Sequence, residues 1–273
     1  MPSIAQVMRS FNQNALPLLD DLQQFLQPFA EVLPDQRYRY SFRQFVPGML
    51  AARSPQVSQA AAHAPNRGTE SWYLAKRMYR LLDTPEFNHR EWLKVIYADA
   101  RRVAQQDPVE RIIIALDPVN FEQPYAEKLE YLSEVWKSTP PGSLPQRAAR
   151  ITPGYPALIA QTVNLSQPAI PYAHWFSYVS EDFLSENKEI ERAVRTIRIV
   201  LPGQKLCLVT DAGFDDQKFF ALCGCHNMEF VTRVSHDRWV DVFNQRLHRW
   251  EREHLRDLVE TVPGAFSFKI SFT

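Results

Sequence analysis

The 273 residues carry 31 Lys and Arg against 31 Asp and Glu, are 45% hydrophobic and 12% aromatic, and include three cysteines. A chain of this size and apolar content can bury a sizeable core in one or two domains, which excludes wholesale disorder. The odd cysteine count argues against a secreted disulfide framework. Without a membrane-length apolar run or a basic-then-apolar leader, the expectation is a soluble, cytoplasmic chain with no membrane partner.

Charge is unevenly spread. Residues 1–36 carry one Arg against four acids, whereas residues 37–94 carry ten Lys and Arg against four. A basic face in the N-terminal third is one reading, and an ordinary solvated helical surface is the other. From Ile4 to about Phe29, apolar residues recur at three- and four-residue steps, which predicts a helix that Pro17 interrupts. A second helix is expected over Ser41–Ala52, and a third over Gln56–Ala64 with Ser54-Pro55 as cap and first-turn proline. Thr69–Ala104 reads as helix broken near Asp83-Thr84-Pro85.

After Pro108 the pattern changes. Arg111-Ile-Ile-Ile-Ala-Leu-Asp117 is a β-branched apolar run ending in an acid, the pattern of a buried strand. Further strands are expected at Leu158–Leu165 and Ala169–Phe176, after a loop over Ser138–Pro156 rich in Pro, Gly and Ser. A helix over Ser185–Val200 precedes Lys205-Leu-Cys-Leu-Val-Thr-Asp211, a second apolar run ending in aspartate. A helix over Asp215–Cys223 and a strand over Glu229–Val234 come next. Arg238–Val259 reads as helix, with Arg246, Arg249, Arg252 and Arg256 as a solvated basic stripe, and Ala265–Phe272 alternates as a half-buried strand.

This element order is that of an α/β, ribonuclease H-like core preceded by an all-helical N-terminal domain. The division is expected as residues 1–106 helical, 107–240 core, and 241–273 the start of a further domain. In that order the first and fourth strands lie side by side and parallel, so Asp117 and Asp211 meet at the C-terminal edge of one sheet. Neighbouring carboxylates repel and raise each other's pKa values, a preference that a hard divalent cation reverses. From pattern alone, either aspartate serves equally well as a helix or turn cap. Asp215 and Asp216 read as surface or helix-start charges. Cys223, Cys225 and His226 cluster without a second matching pair and read as packing residues rather than a zinc site.

The stretch from Ile112 to Trp239 resembles the catalytic core of bacterial insertion-sequence DDE transposases, the cut-and-paste group whose ribonuclease H-like fold is split by a β-rich insertion. The pieces that carry the resemblance are Ala115-Leu-Asp117-Pro-Val-Asn-Phe, Lys137-Ser-Thr-Pro-Pro-Gly142, His174-Trp-Phe-Ser-Tyr178, Asn187-Lys-Glu-Ile-Glu-Arg192, Thr210-Asp-Ala-Gly-Phe-Asp-Asp216 and Phe230-Val-Thr-Arg-Val-Ser-His236. Phe45–Arg53 and Lys76-Arg-Met-Tyr-Arg80 are similar to the family's DNA-end-binding region.

The resemblance implies a bacterial, nucleoid-associated enzyme that cleaves at transposon ends and joins them to target DNA. Asp117 and Asp211 would be two of three acids holding a pair of Mg²⁺ or Mn²⁺ ions, and dimers would act on paired terminal inverted repeats. It further implies DNA contacts from Arg53, Lys76, Arg77 and Arg80, while Lys137, Arg147 and Arg150 flank a loop suited to phosphate contact or plain exposure. His174 and Trp175 suit a base or a core position.

The family's third acid lies on a helix in Y-x2-R-x3-E-x6-K. Arg249-x3-Glu253 reproduces the centre of that motif, yet Arg246 stands in the tyrosine position and Glu260 in the lysine position. Either Glu253 is the third acid, or the chain stops before the acid-bearing helix, with Ala265–Phe272 opening the insertion. An alternative is a catalytically inactive DNA-binding protein that competes with a full-length transposase. A general ribonuclease H-like nuclease accounts for the strands but not for the helical first hundred residues.

Overall fold

The structure, a computed structural model, describes residues 4–65, 70–84, 88–137, 151–234, 237–244 and 246–261, and side chains between residues 17 and 258. The strand expected over Ala265–Phe272 lies outside the described residues, as do Arg147 and Arg150. Two compact units divide the chain, Met1–Val95 and Ile96–Thr273. Among the described residues, no helix is long and apolar enough to cross a membrane.

Helices α1 (Ile4–Glu31), α2 (Gln36–Ala52), α3 (Val57–Ala62) and α4 (Ser71–Leu82) build the first unit, and α5 (His89–Gln106) starts within it. Pro17 does not interrupt α1. Its missing hydrogen bond costs about 3 kcal/mol, and burial of Leu26 and Ala30 further along the same helix offsets that cost. α2 begins at Gln36 rather than Ser41, because the Asp35 side chain accepts the Arg37 N–H and caps it. α3 starts at Val57, not Gln56. Ser54 Oγ accepts the Gln56 N–H at 3.2 Å in a turn before the helix, and Gln56 makes no side-chain cap. Phe45, Val57, Ala60, Leu74 and Met78 form one buried cluster. Leu26, Leu33, Phe42 and Leu81 form another, with Trp92 set edge-on to Phe42 at 4.8 Å.

The second unit is built on a mixed sheet. Its strands are β1 (Ile112–Glu122), β2 (Ser133–Trp136), β3 (Ile151–Thr162), β4 (Tyr172–Trp175), β5 (Leu206–Thr210) and β6 (Glu229–Thr232), in the order β2-β3-β1-β5-β6, with β4 also on β3. β3 is antiparallel to β1, β2 and β4, while β1–β5 and β5–β6 are parallel. Ile112, Ile114, Leu116, Leu206 and Leu208 alternate onto one face. There they pack with Ala100 and Val103 of α5, with Val194 and Ile197 of α6 (Glu186–Val200), and with Phe219 and Cys223 of α7 (Gln217–Cys225). The helix expected over Ser185–Val200 is α6, which Ser185 caps by accepting the Lys188 N–H through its Oγ.

Several expectations need correction here. β2 was not anticipated, and β3 begins at Ile151, inside the span read as a loop. Pro153 and Pro156 suggested a break, yet both sit in the strand with their carbonyls engaged, by Gln123 N–H at 2.7 Å and Phe176 N–H at 3.0 Å. Between them Gly154 lies where a Cβ would meet Phe121 O at 2.4 Å and Val135 Cγ2 at 2.6 Å.

The helix expected over Arg238–Val259 is instead a hairpin, β7 (Trp239–Asn244) antiparallel to β8 (Arg249–His254), followed by α8 (Leu255–Thr261). Cross-strand pairs hold it, Trp239 on His254 and Phe243 on Trp250. Asn244 Oδ1 closes the turn by accepting the Arg246 and Leu247 N–H groups. Arg246, Arg249, Arg252 and Arg256 therefore form no helical stripe; they lie in the turn, on β8 and on α8.

Gly154→Ala is expected to destabilise the chain by about 1–3 kcal/mol through backbone overpacking. Urea unfolding followed by circular dichroism checks this, and an unchanged midpoint would contradict the close approach at this crossing.

Candidate active site

Hydrogen bonding along β1 determines what happens at its end. The Ile112 N–H donates to Lys205 O on the β5 side, and Ile113 O accepts from Val163 on the β3 side. Even-numbered backbone groups of β1 therefore face β5. Parallel pairing ends at Ala115↔Val209, yet β1 continues against β3 as far as Glu122↔Gly154. Pro118, which has no N–H to give, thus falls on the side that β5 no longer covers.

Two residues past Ala115↔Val209, the same register sets Asp117 opposite Asp211. Both follow the parity of Ile113, Ala115, Cys207 and Val209, so they share the face opposite the helix-covered core. Neighbouring strands lie about 5 Å apart, and both residues are exposed. Burial and then the nearby Asp211 charge push the Asp117 carboxyl above its ordinary pKa. The structure thus brings together the two aspartates singled out by sequence.

Asp211 opens a 3-10 turn over Ala212–Phe214, in which its Oδ1 accepts the Gly213 N–H at 2.9 Å and its carbonyl accepts the Thr232 hydroxyl at 2.9 Å. Asp216 caps α7 through the Lys218 N–H at 3.0 Å. Asp215 is neither a surface charge nor a helix cap, because its side chain is only 6% exposed and pairs with Arg238. That pair was not foreseen. Its only trace in the sequence is an acid just past a capping turn, and nothing local points to Arg238.

Glu253 lies on β8 opposite Val240. The helical setting of the third-acid motif is therefore absent at this position. Among the described residues, no group of three or more His, Cys, Asp or Glu side chains is arranged to hold a metal. Two carboxylates on one exposed edge nonetheless suit a hard cation whose remaining positions are filled by water and a phosphate.

His174 is engaged on the helix-covered side, its Nε2 3.0 Å from Arg192 Nη1, which also pairs with buried Glu189 at 2.8 Å. Burial raises the Glu189 carboxyl pKa against the pull of Arg192. Trp175 is 51% exposed at the end of β4, 5.6 Å from Phe121, and so is not a core residue. Cys223 is fully buried and its thiol pushed up to about 12, whereas Cys225 is exposed.

In the first unit, α4 buries Leu74, Ala75, Met78 and Leu81 and exposes Lys76, Arg77 and Arg80 beside Trp72, Tyr73 and Tyr79. Its helix contains no acid, and these three cations form no ion pair with a described residue. Arg77 lies 6.0 Å over the Tyr40 ring. Arg53 is exposed at the left-handed C-cap of α2, φ 50°. Lys137 follows β2 and is half-buried.

No family model matches the sequence, and no curated protein matches it. Among solved structures, the chain is similar to the piggyBac transposase synaptic complex with hairpin DNA, at 10% identity and TM-score 0.36, covering 75% of this chain and 43% of that one. It is also similar to the Mos1 strand transfer complex, at 9% identity and TM-score 0.28, covering 74% and 60%. The Mos1 transposase paired-end complex with left transposon end gives 11% identity and TM-score 0.29, with coverage of 74% and 60%. The chain thus spans less than two thirds of each of these proteins, and TM-scores this low do not define a fold by themselves.

A carboxyl whose folded-state pKa is raised costs stability once it ionises. Below its ordinary pKa both states are protonated and nothing is lost; the penalty develops as pH rises through the folded value and is complete at neutral pH. Asp117→Asn is therefore expected to raise the melting temperature at neutral pH in EDTA by about a degree or two, with the gain shrinking as pH falls towards the ordinary aspartate value. A neutral-pH melt no higher than wild type would mean that burial and the Asp211 charge together do not penalise the ionised Asp117 carboxylate.

Proposed function

We propose that this chain is a DDE-type transposase with a ribonuclease H-like core, acting on DNA phosphodiesters. The observation that carries this reading is the β1–β5 register, which sets Asp117 opposite Asp211 at the C-terminal edge of a mixed sheet. The order β3-β1-β5-β6, antiparallel then parallel, supports the ribonuclease H-like assignment.

Asp117 and Asp211 would hold divalent metal, Mg²⁺ or Mn²⁺. Such ions, when bound, lower the pKa of an attacking water or 3′-hydroxyl and offset charge on the leaving oxygen of an in-line displacement. The protein's own part is placement. Asp211 has one oxygen committed to the Gly213 N–H, which orients the other, and β5 no longer pairs with β1 beside Pro118. Repulsion between the two acids favours taking up a cation over remaining empty. The cationic and aromatic face of α4 would contact DNA, Lys76, Arg77 and Arg80 on phosphates, with Arg53 and Lys137 in similar roles. A homodimer acting on paired transposon ends belongs to this reading.

A second reading, a DNA-binding protein without cleavage activity, is favoured by one observation. Glu253 sits on a hairpin strand, and no third carboxylate joins the pair among the described residues.

Nicking of supercoiled plasmid by the full chain in Mn²⁺ separates the two. The first reading expects metal-dependent nicking that falls by on the order of 100-fold or more in Asp117→Ala and Asp211→Ala. Salt-sensitive duplex binding without nicking would instead support the second. For either, replacing Lys76, Arg77 and Arg80 together by Ala should lower the slope of log affinity against log salt by about 3; an unchanged slope removes α4 from the interface.

A further inference from the structure

The turn that carries Asp211 is tied at its far end by a residue from another part of the chain. Within it, Phe214 N–H to Asp211 O and Asp215 N–H to Ala212 O are both 3.3 Å, while Gly213 N–H to Asp211 Oδ1 is 2.9 Å and Asp216 N–H to Phe214 O is 2.7 Å. Three anchors hold it against the rest of the unit. Thr232 bonds the Asp211 carbonyl at the start, and buried Phe214 packs in the middle. Asp215 closes the end.

An ionised carboxylate as buried as Asp215 needs a charged, hydrogen-bonding partner. Arg238 supplies it through a fork. Nη2 lies 2.6 Å from Oδ1, Nε donates to Oδ2 at 2.9 Å, and Nη2 also donates to the Asp215 carbonyl at 2.6 Å. The guanidinium lies 5.6 Å over the Phe220 ring of α7. Lysine, a point charge on a flexible stem, cannot reproduce this planar grip. At the same residue, the Arg238 carbonyl accepts the Leu255 N–H at 2.8 Å, where β8 ends and α8 begins. One residue therefore joins the base of the β7–β8 hairpin to the Asp211 turn. Buried ion pairs are better attested as devices that fix register than as sources of stability.

We infer that Arg238 is a positioning residue: by hydrogen-bonding Oδ2 and the carbonyl of Asp215 and pairing in charge with its carboxylate, it fixes the turn that aims the Asp211 carboxylate at Asp117, and so sets the cation affinity of that pair. This rests on the reading of Asp117 and Asp211 as a cation site. It also makes the hairpin part of the site, because any shift of the hairpin base is transmitted to Asp211.

Removing Arg238 has two effects of opposite sign. The turn loosens, which weakens cation binding, and loss of the guanidinium charge beside Asp215 makes the neighbourhood more negative, which strengthens it. The double variant Arg238→Ala/Asp215→Asn removes the added charge and isolates the first effect. It also avoids leaving the buried Asp215 carboxylate without its guanidinium partner.

Mn²⁺ binding to the full chain, read from the free-ion signal in electron paramagnetic resonance, is the test. Asp117→Asn and Asp211→Asn should each lose most binding. Arg238→Ala/Asp215→Asn should bind at least about 10-fold more weakly than wild type, with Arg238→Lys recovering only part of the affinity. Wild-type affinity in the double variant, with loss in the two aspartate variants, overturns the role of Arg238 alone. Tighter binding in the double variant would also overturn it, because the cation pair would then hold better without the Arg238 grip than with it. Unchanged binding in Asp117→Asn and Asp211→Asn overturns the cation site and this inference together.

Discussion

Everything proposed for this protein depends on where one strand pairing stops. β1 and β5 run parallel and in register up to Ala115↔Val209, after which β1 continues against β3 alone. Within the paired stretch, side chains alternate between the helix-covered core and the open face. At its end, the next open-face positions are both aspartate. A one-residue slip of β5 would turn Asp211 towards the helix-covered core and put Leu206 and Leu208 on the open face. The core residues Ile112, Ile114, Leu116, Leu206 and Leu208 therefore do more than exclude water, because their burial locks the register that sets the two acids side by side.

The electrostatics follow from that placement. Several cations on the other helices are matched locally: Lys94 with Glu91, Arg102 with Asp99, and Arg195 and Lys188 with Glu191. Two places depart from this pattern. The Asp117–Asp211 edge gathers like charge, and burial and repulsion together raise the Asp117 carboxyl. The outer face of α4 gathers cations and aromatic rings without an acid in the helix. One place favours a small divalent cation and the other a polyanion, a combination that suits a protein working on nucleic acid phosphates.

Much of the framework was legible in the sequence. Ile112–Leu116 and Leu206–Thr210 are apolar, β-branched runs too short for helices, and the helix over Ser185–Val200 is found at Glu186–Val200. The misread elements share a cause, which is that local pattern competes with pairing partners distant in sequence. Arg238–Val259 is rich in Arg, Glu and Leu and fits a helical period, but Trp239 against His254 and Phe243 against Trp250 stabilise a hairpin that no short window can weigh. Pro153 and Pro156 look like strand breakers, yet they occupy strand positions where their carbonyls still find donors. Pro17 looks like a helix break, and packing of the same helix downstream overrides it.

By itself, the sequence determined the alternation of apolar residues and the presence of an acid directly after each of two buried strands, because these depend on neighbours within a few positions. Only the tertiary structure decided that Asp117 and Asp211 share one face, that Asp215 is buried on Arg238, and that Glu253 belongs to a hairpin strand. Those outcomes are set by register and by burial against distant segments. A carboxylate's role follows from which charges and which solvent surround it after folding, and the linear order of residues does not contain that.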